Sequence, residues 1–123
     1  MSSHPSIFAA GRRAHFALNA RLKAETGLTS AEYEVICLIG ERPGMLRTHI
    51  SEHTGIDITS VGKICKRFRG YGWIKGEGDD LRYAELYLTD PGLKARSDFR
   101  SKGLAIETDI ADRLSGQRWL EGL

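Results

Sequence analysis

Apolar residues recur at helical spacing over most of the chain and switch to alternation in one short stretch. Between about Ser6 and Glu25, Ile7, Gly11, Ala14, Leu18 and Leu22 return every three or four residues. That spacing predicts a first helix, with Gly27 as its stop. Thr29, with Glu32 three residues later, has the form of a capping box. Val35, Ile36, Leu38 and Ile39 give the second helix its buried face, and Gly40 to Gly44, with Pro43, end it. A short third helix is expected over roughly Arg47 to His53, closed by Gly55. Asp57 is a good N-cap for a fourth, in which Val61, Ile64, Cys65 and Phe68 lie on one stripe before Gly70 and Gly72. The pattern then changes period. Ala84, Leu86 and Leu88 alternate with Tyr83, Glu85 and Tyr87, which predicts a strand with one buried face. Paired with Trp73 to Glu77, it makes a hairpin with a polar tip. From Pro91 a long polar helix runs toward Leu114, with an incomplete stripe of Leu93, Phe99, Ile106, Ile110 and Leu114 and a weak point at Gly103. Two short helices joined by a Gly-containing turn and followed directly by a hairpin make a winged helix-turn-helix, so the expected fold is mostly α with a two-stranded wing.

Composition narrows the class without naming a partner. The chain has 123 residues, 41% hydrophobic and 28% charged, values typical of one soluble globular domain. No apolar run reaches the roughly 18 residues of a membrane span, so no membrane partner is expected. Arg12, Arg13 and His15 fall where a signal peptide would need its apolar stretch. Cys37 and Cys65 form neither a disulfide framework nor a metal-binding repeat. Reduced, buried thiols in a cytoplasmic protein without a cofactor are the expectation.

Charge changes the picture once its position is considered. The net charge is only +2. Residues 58–75 nevertheless hold Lys63, Lys66, Arg67, Arg69 and Lys75 and no acid, while residues 29–57 and 76–123 are each net acidic. A solvated helix usually mixes signs to gain i,i+4 pairs. One sign concentrated on one element suits a polyanion, and a phosphate backbone is the usual one. The flanking acids, Glu32 and Glu34 among them, are expected to limit indiscriminate binding.

Several fragments, in order and at spacing, carry a family resemblance. They are Leu28-Thr29, then Gly55-Ile56-Asp57-Ile58-Thr59-Ser60-Val61, then Gly72-Trp73-Ile74, then Asp80-x-Arg82, and finally Leu88-Thr89-x-x-Gly92. The stretch from about Leu28 to Gly92 resembles the MarR-type (multiple antibiotic resistance) winged-helix transcriptional regulators. It departs from them at Gly62, Lys63 and Lys66, where the family often has Ser or Thr, Arg, and Asp. The resemblance implies a homodimer on a pseudo-palindromic double-stranded operator, often a repressor. Release by a small anionic or phenolic effector, or by cysteine oxidation, is also implied. It further implies that helix 58–70 enters the major groove and that the 76–84 wing reaches the minor groove. Residues 28–92 would be the winged core of a single domain spanning residues 1–123, with 1–27 and 93–123 as helical dimerisation flanks.

Residue chemistry fits roles to these positions. Thr59, Ser60 and Lys63 open the basic helix, where base edges are usually touched. Arg67 shares the face of Lys63 at i,i+4, and Lys66 and Arg69 suit phosphates, which fix position and carry no sequence information. Arg47 and Thr48 start the preceding helix, where free amides and a hydroxyl can hold a phosphate. Arg82 at the hairpin tip suits a narrow minor groove, with Asp80 orienting it. Ile7, Phe8, Phe99, Ile106, Ile110, Leu114, Trp119 and Leu120 are the expected dimer interface.

Two other readings compete. One is a winged-helix module for protein interaction or non-specific nucleic-acid binding. The other is a zinc hydrolase, because His49-Ile50-Ser51-Glu52-His53 has the HxxEH letters of a zinc-hydrolase class. The short helix and the lack of an evident third ligand weigh against a metal.

Overall fold

The computed structural model describes residues 7–78 and 80–115. Element order is α1 (Ile7–Thr26), α2 (Ser30–Glu41), α3 (Arg47–Thr54), α4 (Ile58–Gly70), β1 (Ile74–Lys75), a 3-10 turn (Leu81–Tyr83), β2 (Tyr87–Leu88) and α5 (Asp90–Ser115). The expected mostly helical winged helix-turn-helix is the observed fold. No helix among the described residues is long and apolar enough to cross a membrane.

The chain divides into two compact units, residues 31–100 and the segments on either side, whose described parts are 7–30 and 101–115. In the flanking unit Ala10, Leu22, Ile106 and Ile110 are buried. Arg21 pairs with Asp109, which Arg113 also reaches at 3.2 Å. Asn19 Oδ1, within α1, accepts the Ser30 amide at 2.9 Å. Gly103 is buried and does not interrupt α5.

In the 31–100 unit the core is built from the stripes the sequence displays. Val35, Ile36 and Ile39 of α2, Ile50 of α3, and Val61, Ile64, Cys65 and Phe68 of α4 are all buried. Full burial of such a side chain contributes roughly 1.5–3 kcal/mol. The turn between α3 and α4 is closed at both ends. Gly55 adopts φ 78°, a left-handed conformation that ends α3 by donating its N–H to Ser51 O at 2.9 Å. Asp57 then caps α4 through the Ser60 amide at 2.9 Å and the Ser60 hydroxyl at 2.8 Å.

The hairpin is shorter and more anchored than alternation suggests. Ladder pairing covers only Ile74 with Leu88 and Lys75 with Tyr87. A further bridge joins Leu86 to the chain before α3: Leu86 donates to Met45 O and accepts from the Gly44 amide, both at 2.9 Å. Ala84, Leu86 and Leu88 are buried as expected. The tip is a 3-10 turn and not a continued ladder, because Leu81 folds inward and is buried.

Where the wing returns to α5, the Leu88-Thr89-x-x-Gly92 motif has a physical explanation. Thr89 donates its amide to Trp73 O at 2.9 Å and its hydroxyl to Gly72 O at 2.5 Å, while that hydroxyl accepts the Gly92 amide at 3.1 Å. A Cβ on Gly92 would stand 1.9 Å from Trp73 O, so this corner requires glycine. Trp73 packs against Phe68 and, edge on, against Phe99, with centroids 5.5 and 5.4 Å apart.

Candidate nucleic-acid interface

Helix α4 presents its cations in three different ways. Lys63 and Lys66 are exposed, as is the neutral Thr59. Arg69 is half-buried and lines a cleft beside the wing. Arg67 turns the other way and donates to Glu32 of α2 at 2.7 Å. The Glu32 side chain is only 6% exposed, against 48% for Arg67. The expectation that Arg67 shares a DNA face with Lys63 therefore meets a competing use of its guanidinium. Glu32 likewise stands inside the fold as a partner of α4, not on the surface as a repellent acid.

Ser60, expected at base edges, commits its hydroxyl to Asp57 Oδ2. The two Ser60 hydrogen bonds hold the Asp57 carboxyl below the usual carboxylate range. Thr48 is exposed on the first turn of α3. Arg47 beside it is half-buried and crosses α4 at Gly62, where a Cβ would meet its Nη1 at 2.6 Å.

At the wing tip, Asp80 grips Arg82 by two routes. Arg82 Nε donates to Oδ2 at 2.9 Å, its terminal nitrogen stands 2.8 Å from the same oxygen, and the Arg82 amide reaches Oδ1 at 3.0 Å. This contact lowers the Asp80 pKa and raises that of Arg82. Both remain more than half exposed, so the aspartate orients the guanidinium while leaving it open to solvent. The Arg82 guanidinium carbon also lies 5.9 Å from the centre of the Tyr83 ring.

Other chemistry is absorbed structurally. His49 Nδ1 accepts the Leu46 amide at 3.3 Å, closing the start of α3. Among the described residues no group of three or more His, Cys, Asp or Glu side chains is placed to hold a metal ion. Burial pushes both thiols up, Cys65 to about 11 despite an opposing pull from Arg47, so Cys65 is protonated at neutral pH.

The expected dimer residues behave unevenly. Ile7 and Phe8 are exposed, together with Phe16 and Leu104, which the apolar stripes did not single out. Ile106 and Ile110 are 1% and 8% exposed in the single chain, so they are core residues already and not open faces. Phe99 is half-buried against Trp73. Trp119, Leu120 and the Leu114 side chain lie outside the described residues.

No family model matches the chain, and no curated protein does. Solved structures match over nearly its whole length. A MarR family protein of Mycobacterium tuberculosis in complex with p-aminosalicylic acid is 16% identical, covering 94% of this chain and 88% of its own, at a TM-score of 0.73. A MarR family transcriptional regulator from Silicibacter pomeroyi is 20% identical, with coverage of 94% and 81% and a TM-score of 0.73. A mutant MarR from E. coli complexed with operator DNA is 18% identical, with coverage of 88% and 76% and a TM-score of 0.68. The fold is that of the MarR-family winged helix.

Proposed function

We propose that this chain, folded as MarR-family winged-helix proteins are, is a dimeric, sequence-specific DNA-binding transcriptional regulator and acts as a repressor by occupying its operator. One observation carries the reading: α4, the second helix of the motif, has cations and no acid, and it exposes Lys63 and Lys66 beside a wing that exposes Arg82. Lys63, with Thr59, reads base edges in the major groove. Lys66, Arg69, Arg47 and Thr48 hold phosphates, and Arg82, oriented by Asp80, enters the minor groove. Exposed Ile7, Phe8, Phe16 and Leu104 are apolar surface that a second copy would cover, and two-fold pairing fits half-sites about one helical turn apart. The E. coli relative complexed with operator DNA supports the same partner, and the p-aminosalicylic acid complex supports a small-molecule effector.

The test is selection of bound duplexes from a random pool. An enriched pseudo-palindrome is the expected result. Binding without enrichment would instead favour a module that holds nucleic acid non-specifically, and no binding would refute the DNA reading.

A further inference from the structure

Glycine is a poor helix former, yet Gly62 sits in the second turn of α4. Its neighbour explains it. A Cβ at this position would stand 2.6 Å from Nη1 and 3.4 Å from Cζ of Arg47. The guanidinium of a residue from α3 therefore lies across α4 in the space a side chain at position 62 would fill. Arg47 Nε is buried there and has no hydrogen-bond acceptor among the described residues.

Two clefts flank the wing, and their charges differ. The larger, about 760 Å³, includes Lys75, Glu77, Asp80 and Glu85 in its lining, so acids outnumber bases. The smaller, about 480 Å³, lies between α4 and the wing tip and gathers Arg47, Lys66 and Arg69 beside Gly62. Among the described residues the carboxylate on its rim is Asp80, already engaged by Arg82. A duplex that takes α4 into its major groove and the wing into the next minor groove must carry one phosphate strand between them. A strand so placed would pass over the smaller cleft, which lies between those two elements.

We infer that Arg47, seated by Gly62, is a clamp for a duplex phosphodiester crossing between α4 and the wing, with Lys66 and Arg69 completing the contact. The inference rests on the DNA-binding reading above and adds to it a coupled pair of residues. Gly62 acts only by leaving room. Any side chain there displaces the guanidinium, so a change at a residue with no functional group removes a phosphate contact made by a different helix.

The test uses the full chain and the duplex recovered from the random-pool selection, with each phosphate replaced in turn by an uncharged methylphosphonate. Wild type is expected to lose about tenfold in affinity at one phosphate in each half-site, the scale of one charge-assisted hydrogen bond. Arg47→Ala and Gly62→Ala should each lose about that factor per half-site on the unmodified duplex, about a hundredfold for the dimer, and become insensitive to that one replacement. Each should lower the salt slope by about 0.9 per clamp released. The double variant should bind no more weakly than Arg47→Ala alone, because both changes remove the same contact. Thermal unfolding is read alongside. Gly62→Ala replaces the poorer helix former, so it keeps the test valid if Arg47→Ala fails to fold. Additive losses, or a Gly62→Ala protein with the wild-type salt slope and methylphosphonate profile, would overturn the clamp while leaving DNA binding intact. Failure of the wild type to bind any duplex would overturn both.

Discussion

Replacing Arg67 with alanine separates a structural arginine from a DNA-reading one. Arg67 donates to Glu32 at 2.7 Å, and the two ends of that contact sit in different surroundings. A fully exposed ion pair is worth about 0–1 kcal/mol, and a hydrogen bond to a charged group about 1.5–3 kcal/mol. Glu32 is 6% exposed, which places the contact in the second range, and the 48% exposure of Arg67 keeps it from the top. We expect Arg67→Ala to cost about 2 kcal/mol. For 123 residues that corresponds to a fall in Tm of roughly 6–10 °C, measured at fixed protein concentration because the proposed dimerisation would make Tm concentration-dependent. Titration of a bound duplex with salt provides the second reading. A guanidinium committed to Glu32 leaves the salt slope unchanged, whereas a lost phosphate contact lowers it by about 0.9 per protomer. An unchanged Tm with a reduced slope would refute the argument, because Arg67 would then be serving DNA and not the fold.

Four further outcomes follow from contacts described above. Gly92→Ala should cost about 3 kcal/mol in urea unfolding, since its Cβ would fall 1.9 Å from Trp73 O and that carbonyl is held by Thr89; a loss below about 1 kcal/mol would mean the corner yields. Arg82→Ala should weaken binding to all duplexes and reduce the salt slope, while Lys63→Ala should also change the preferred sequence; if neither alters binding, the DNA face is misassigned. Because folding lowers the Asp57 pKa from its ordinary 3.8, its contribution is present above that pH and fades as pH falls through the folded value. Asp57→Asn should therefore flatten the dependence of Tm on pH in the acid limb, and an unchanged slope would dismiss the carboxylate as a cap. Cys65, with its pKa pushed up to about 11, should resist thiol reagents at neutral pH until the protein unfolds; rapid native labelling would contradict its burial.

The sequence announces this fold wherever a single element carries its own signal. Helix α4 was expected over 58–70 and occupies Ile58–Gly70, because its cap, its apolar stripe and its terminal glycine are all local. The wing was legible as alternation, but its inward 3-10 tip and its bridge to Met45 were not, since both depend on partners far along the chain. The same distinction separates the site residues. Lys63, Lys66 and Arg82 stand out by charge and position along the chain, and all three are exposed in the fold. The Glu32–Arg67 pair spans 35 residues, and a charge count by blocks treats its members as opposed populations. Gly62 did leave a mark, as a glycine in the second turn of an amphipathic helix. What filled its place could not be read without the path of α3.

The bridge at Leu86 has a bearing on how such a protein diversifies. Its two backbone hydrogen bonds end on residues 44 and 45, immediately before the helix that begins with Arg47. The foot of the wing and the start of α3 are thus one joint, and the buried Leu81 of the 3-10 turn anchors the tip a second time. Gly78 is exposed and lies in the loop between these two anchorages, so residues added or removed there would lengthen or shorten the span between fixed points. Under the proposed function, that loop would vary the reach of the wing while side chains on α4 vary the bases read, so the two can be inherited separately.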